Sequence, residues 1–135
     1  MPIPEAGLAG IAAGIALEQV RPWRLMRRRS AGWAAVGAGS LIVAAAVKAA
    51  ARTELAEPDE LVTTGVYGVS RNPMYVGCTL LHLGIGLLTR SGWVLATLPL
   101  AAAAMHRDVV GEEHRLSEKC PIEFREYCEA VRRYL

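Results

Sequence analysis

The residues of this chain whose types and spacing can do chemistry fall in three places: Arg71-Asn72-Pro73-Met74-Tyr75-Val76-Gly77, the adjacent acids Glu112 and Glu113, and the arginines Arg132 and Arg133. Pro73 has no amide hydrogen and disfavours α conformation at Asn72, so the spacing predicts a helix beginning at Pro73. A helix start carries free N–H groups and the positive end of the helix dipole. Both stabilise an anionic carboxylate, such as that of a bound amino-acid moiety. Gly65 and Gly77 permit close backbone approach, and Tyr67 and Tyr75 offer ring faces and hydroxyls. The same residues equally suit a plain helix start, with Tyr75 as an interfacial anchor and Gly77 easing packing.

Glu112 and Glu113 follow an apolar segment by a few residues, so they lie on a continuing helix or on a new one opening after Gly111. Neighbouring helical residues point about 100° apart. One acid is therefore expected to face a ligand and the other to pair with a base such as Arg107 or Arg115. A carboxylate in a pocket accepts hydrogen bonds from an ammonium group; a solvated charge pair is the alternative. Arg133 and its neighbour Arg132 can meet the anion of a lipid or substrate, or reach the headgroups. His82, His106 and His114 form no HExxH or HxH pattern, so no metal site is expected. His82, in the middle of an apolar segment, is expected to face the bundle interior, where it could line a substrate path.

The elements that position these residues follow from composition. The chain has 135 residues, 53% of them apolar, and a positive mean hydropathy. That makes one domain and points towards a membrane. The apolar residues gather in four blocks, Ile3–Val20, Ala31–Ala51, Met74–Leu88 and Gly92–Met105, with the charges between them. Only the second reaches the usual spanning length of about twenty residues; the others need flanking residues, local thinning or packing partners. The blocks from Ala31 and Gly92 are apolar on all faces, unlike the single stripe of a soluble surface helix. Glu5 and Glu18 bracket the first block and no cation precedes it, so it reads as a retained helix rather than a secretory signal. Its Gly10 and Gly14 have the spacing that lets helices pack closely in lipid.

Thr89-Arg90-Ser91 joins the third and fourth blocks, which predicts a tight antiparallel hairpin. Its two free ends are the segment from Arg71 and the segment His106–Glu113, so the two suggestive motifs meet at one membrane depth. The tail from Glu112 has an apolar stripe at helical spacing (Leu116, Cys120, Phe124, Tyr127 or Cys128, Val131, Leu135) that Pro121 splits. It is expected to lie on the membrane as an amphipathic lid over the hairpin.

If all four blocks span, one face carries six Lys/Arg and the other nine, counting Lys48. The count favours the face that carries both termini as cytoplasmic, while the dense run Arg21, Arg24, Arg27, Arg28, Arg29 in the first loop pulls the other way, so charge alone leaves the orientation tied. That run, with Trp23 and Trp33, reads as a headgroup interface. Apolar blocks on both sides argue against nucleic acid as a partner. Cys78, Cys120 and Cys128 are odd in number and lack CxxC spacing, which argues for free thiols.

Taken in order, Gly65/Tyr67, Arg71/Pro73/Tyr75/Gly77, Glu112/Glu113/Leu116 and Tyr127/Val131/Arg133 resemble the integral-membrane methyltransferases that use S-adenosylmethionine. These are the isoprenylcysteine carboxyl methyltransferases, the phospholipid N-methyltransferases and their short bacterial relatives. The resemblance covers 61–135. It implies an all-α integral membrane fold of about four transmembrane helices with an amphipathic helical tail, in the bacterial inner membrane with its site facing the cytoplasm. Residues 1–60 would supply amino-terminal helices and 61–135 the catalytic part of one domain.

By the same resemblance Tyr67, Arg71, Asn72, Pro73, Tyr75, Gly77, Glu112 and Glu113 would contact S-adenosylmethionine. Glu113 and Arg133 would be catalytic, Arg133 by orienting a lipid-like or prenylated acceptor. The expected reaction is isoprenylcysteine carboxyl methyltransferase-like, with phospholipid N-methylation as the alternative. Asn72 stands where the isoprenylcysteine enzymes have His, Phe124 replaces a tail tyrosine, and Cys120-Pro121 replaces Phe-Gly. A membrane reductase using NADPH and a non-enzymatic membrane scaffold are the rivals from other classes. No GxGxxG, P-loop or alternating strand–helix pattern is present, which excludes the soluble methyltransferase fold.

Overall fold

A computed structural model describes residues 5–26, 28–56 and 61–135. The expectations for Ile3, for Arg27 of the basic run and for 57–60 of the central loop fall outside those residues. Helix α1 spans Glu5–Val20, α2 Arg29–Ala56, α3 Pro73–Thr89, α4 Gly92–Lys119 and α5 Pro121–Ala130; a short 3₁₀ turn covers Gly65–Gly68. The all-helical expectation holds among the described residues.

Prolines and turns set the boundaries. Pro73 is the first residue of α3, and Pro121 opens α5 directly after Cys120 ends α4. Arg90 takes the left-handed conformation (φ 58°) that closes α3, and the Ser91 hydroxyl accepts from Val94 N (3.3 Å) to start α4. The hairpin is as the sequence predicts. Two helices run further than their apolar blocks. Helix α2 continues from Ala51 to Ala56, and α4 continues from Met105 to Lys119. Neither extension contains a proline, and the space around Gly111 is open, so nothing interrupts the backbone ladder. Glu112 and Glu113 thus ride a continuing helix.

Helix α2 packs on α3, α3 on α4, and α4 on α1, which also touches α3. Glycines set the spacing. A Cβ on Gly77 would lie 2.7 Å from Val43 Cγ2, and one on Gly84 2.9 Å from Gly32 O. On the other side, a Cβ on Gly14 would lie 2.6 Å from Val94 Cα and one on Gly10 2.8 Å from His82 Cε1. The Gly10/Gly14 spacing therefore does serve close packing. His82 is fully buried, as expected, but against helices. Its Nε2 donates to Val94 O at 2.9 Å, while Thr97 Oγ1 beside it reaches Gly10 O at 2.9 Å. That polar knot ties α1, α3 and α4.

At the hairpin's turn, the α1–α2 connection is stitched down. Glu18 accepts from Ser91 Oγ (2.7 Å) and Trp23 N (3.1 Å), and Gly92 N donates to Trp23 O (2.7 Å). Trp23 meets Trp93 edge to face at 5.4 Å. Trp33 is exposed. Among the described residues one helix, Arg29–Leu55, is long and apolar enough to cross a membrane, and Pro73–Thr89 is a shorter apolar helix beside it.

Candidate active site

The end of the bundle away from the hairpin turn is where chemistry collects. Helix α3 begins there and α4 projects beyond it by its charged extension. Helix α5 folds back across the corner, burying Phe124 and Tyr127. Burying side chains of this size stabilises by about 1.5–3 kcal/mol each, enough to hold a ten-residue helix in place. The Tyr127 hydroxyl donates to Tyr67 O at 2.7 Å, joining α5 to the 3₁₀ turn. Burial, then the charge of Glu112, pushes the Tyr67 hydroxyl up to about 12, and burial with Tyr67 beside it does the same for Tyr127. Both are neutral donors at physiological pH.

A cavity of about 250 Å³ occupies this corner. Its walls include Tyr67, Arg71, Asn72, Tyr75, Glu112 and Glu113, closed by Glu54 of α2 and by Phe124 and Tyr127. Tyr75 is 7% exposed and its buried hydroxyl has no hydrogen-bond partner among the described residues.

The acids diverge as helix geometry requires, yet both line this one concave corner. Glu113 Oε2 meets Arg133 Nε (3.0 Å) and Nη2 (2.9 Å), and its Oε1 faces Arg71 Nη2 and Asn72 Nδ2, each at 3.4 Å. Its partners are therefore Arg71 and Arg133. Arg107 and Arg115, the expected bases, stand exposed on the outer side of α4. Hydrogen bonding and charge from Glu113 hold the Arg133 guanidinium above its ordinary pKa. Glu112 forms no hydrogen bond or ion pair among the described residues.

The chain beyond α5 closes the corner as an extended strap. Arg71 N donates to Arg132 O (2.9 Å), Asn72 Nδ2 to Arg133 O (3.2 Å), and Ser70 Oγ to Arg133 O (3.4 Å). Tyr134 Oη and His106 Nδ1 share a hydrogen bond of 2.8 Å. Cys128 Sγ accepts from Arg71 Nη1.

The sequence profile of the phospholipid methyltransferase family matches residues 28–119, from the foot of α2 to the end of α4. The chain belongs to the phospholipid methyltransferase family. Two curated relatives are the nickel-cobalt-cadmium resistance protein NccN of Alcaligenes xylosoxydans xylosoxydans and the cobalt-zinc-cadmium resistance protein CzcN of Cupriavidus metallidurans. The first is 44% identical over 69 residues, 50% of this chain and 32% of that protein. The second is 46% identical over 68 residues, 50% of this chain and 31% of that protein. The match thus spans about a third of the length of each relative. No solved structure matches the chain.

Of the residues singled out by sequence, Tyr67, Arg71, Asn72, Tyr75, Glu112 and Glu113 meet in the cavity wall of this phospholipid methyltransferase-family protein. Pro73 and Gly77 are not in that wall: Pro73 starts α3, and Gly77 lies against Gly39 and Val43 of α2. Arg133 reaches the site through Glu113. Sequence reading missed Glu54, Ser70 and the contact of Cys128 with Arg71. The stripe left Tyr127 and Cys128 as alternatives; in fact Tyr127 is buried and Cys128 turns to Arg71. Leu135, placed in the stripe, is 76% exposed because the helix ends at Ala130. Among the described residues no group of three or more His, Cys, Asp or Glu side chains is placed to hold a metal ion.

Proposed function

We propose that this chain is a single-domain membrane enzyme that transfers a methyl group from S-adenosylmethionine to an amphipathic, lipid-like acceptor. The observation that carries the reading is the cavity on the family-matched segment. There a carboxylate (Glu112) and a buried hydroxyl (Tyr75), neither with a partner among the described residues, stand beside the uncapped start of α3. These groups fit the amino-acid end of that cofactor: an acid for the ammonium, and helix-start amides and a hydroxyl for the carboxylate.

When bound, the cofactor supplies a methyl on a sulfonium, open to in-line displacement by the acceptor. The chain's part is then to bind, align and exclude water. Phe124, Tyr67 and Tyr127 close the apolar side of the cavity. Among the described residues no histidine lines it and its tyrosines stay neutral, which suits an acceptor already carrying a carboxylate or thiolate better than an ammonium. Arg133 keeps 41% of its side chain exposed at the rim, where it can meet an acceptor's anionic part.

Leu8, Leu41, Val47 and Leu100 point outward from α1, α2 and α4, which supports these three helices facing lipid around α3, the shorter ones by local thinning. The cofactor is a cytosolic metabolite, so the site end and both termini are assigned to the cytoplasm, in a bacterial inner membrane. Membership of the family supports a lipid acceptor; a prenylated carboxylate and a phospholipid amine both satisfy the chemistry. The test is purified protein in vesicles of total bacterial lipid with methyl-labelled S-adenosylmethionine. The reading expects label in the organic phase, reduced at least tenfold by Glu112→Gln. Label confined to the aqueous phase in folded protein would refute it.

A further inference from the structure

We infer that Glu113 is a positioning residue that fastens the carboxy-terminal strap, and that Glu112 is the carboxylate the cavity leaves for a cationic ligand group. The inference rests on the methyltransferase reading and divides the acid pair that sequence alone treats as one unit.

An ionised carboxylate has about four acceptor sites. At Glu113 two nitrogens approach each oxygen, from Arg133 on one side and from Arg71 and Asn72 on the other. Its side chain is 12% exposed, so these contacts replace water. Two guanidinium groups outweigh its single charge, leaving the surroundings of Glu113 positive. An incoming ammonium would find no free lone pair there and a net repulsion.

The residues that grip Glu113 are those that bind the strap. Arg71 N donates to Arg132 O, and Asn72 Nδ2 divides its hydrogens between Glu113 and Arg133 O. Asn72 therefore has no donor left for a ligand. Glu113 is the anion around which α4, the α3 start and the strap are assembled. Glu112, one residue back, lines the same cavity as Tyr67 and Tyr75. Its charge bears on the Tyr67 hydroxyl and is neutralised by none of the described residues.

The test compares Glu112→Gln, Glu113→Gln and Arg133→Gln in full-length detergent-solubilised protein. Two readouts are taken: calorimetric affinity for S-adenosylhomocysteine, which retains the ammonium, and hydrogen exchange of the Arg71 amide, which bonds the strap. Glu112→Gln is expected to weaken binding roughly tenfold to hundredfold, the loss of one charge-assisted hydrogen bond, with Arg71 exchange unchanged. Glu113→Gln and Arg133→Gln are each expected to accelerate Arg71 exchange about tenfold or more, non-additively when combined, and Glu113→Asp to restore part of the protection. Glu113→Gln weakening binding as much as Glu112→Gln, with exchange unmoved, would overturn the assignment. So would a Glu112→Gln affinity within about twofold of wild type. Wild-type protein that binds no S-adenosylhomocysteine overturns the methyltransferase reading and the role of Glu112 with it; the exchange comparison still decides Glu113.

Discussion

Tyr75→Phe separates what a site needs from what a fold needs. The Tyr75 hydroxyl is buried without a partner among the described residues, in a ring 7% exposed among Ala101, Met105 and Val109. A buried, unsatisfied polar group costs about 1–3 kcal/mol, and phenylalanine keeps the ring while removing that cost. The substitution should therefore stabilise the ligand-free protein by about 1 kcal/mol, a rise in Tm of roughly 2–6 °C for a chain of this size. With ligand the sign reverses, because the hydroxyl then gains an anionic acceptor. Losing that bond should weaken S-adenosylhomocysteine binding by about 1.5–3 kcal/mol, roughly tenfold or more. Thermal unfolding in detergent, followed by tryptophan fluorescence with and without ligand, reads both effects. A Tm falling by several degrees without ligand would refute the reasoning, since it would mean that the hydroxyl already has a partner. Unchanged affinity would refute its role in binding.

Other consequences are equally specific. Tyr127→Phe leaves the Tyr67 carbonyl without its 2.7 Å donor and should cost about 1–3 kcal/mol in a chemical unfolding series; no loss would mean that the bond does not form. Gly14→Leu places side-chain atoms against the Val94 backbone, where even a Cβ would approach to 2.6 Å. It should destabilise by about 1–3 kcal/mol or more, whereas Gly111→Ala, in open space, should not. In a spectrophotometric titration Tyr67 and Tyr127 should ionise near 12 instead of 10. Because burial raises the folded pKa, the stability they contribute is complete below pH 10 and is lost as pH rises towards 12. Tyrosine ionisation finished by pH 11 in folded protein would contradict their burial.

Legibility in the sequence varied with how local the cause was. The hairpin, the start of α3 at Pro73 and the break at Pro121 follow from covalent geometry and short-range spacing, and all are present. The meeting of the α3 start with the Glu112/Glu113 segment followed from the hairpin alone. Helix α4's true length was hidden because hydrophobicity stops at Met105 while the helix does not. The partners of Glu113 were illegible because rotation of α4 about its axis, fixed by packing of α1 at Gly14 and of α3, decides which acid meets Arg71 and Arg133. Nothing near Glu113 in the sequence records that rotation. Gly77 shows the converse limit: a missing side chain reads alike as room for a ligand or room for a helix, and Gly39 and Val43 across the interface make it the latter.

The central claim, a methyltransferase cofactor site at the α3–α4–α5 corner, is tested most directly by calorimetric titration of detergent-purified protein with S-adenosylhomocysteine, with NADPH titrated in parallel. Saturable one-to-one binding of S-adenosylhomocysteine alone, weakened by Glu112→Gln, is the predicted result. Binding of NADPH instead, or of neither ligand by protein shown to be folded, would contradict it.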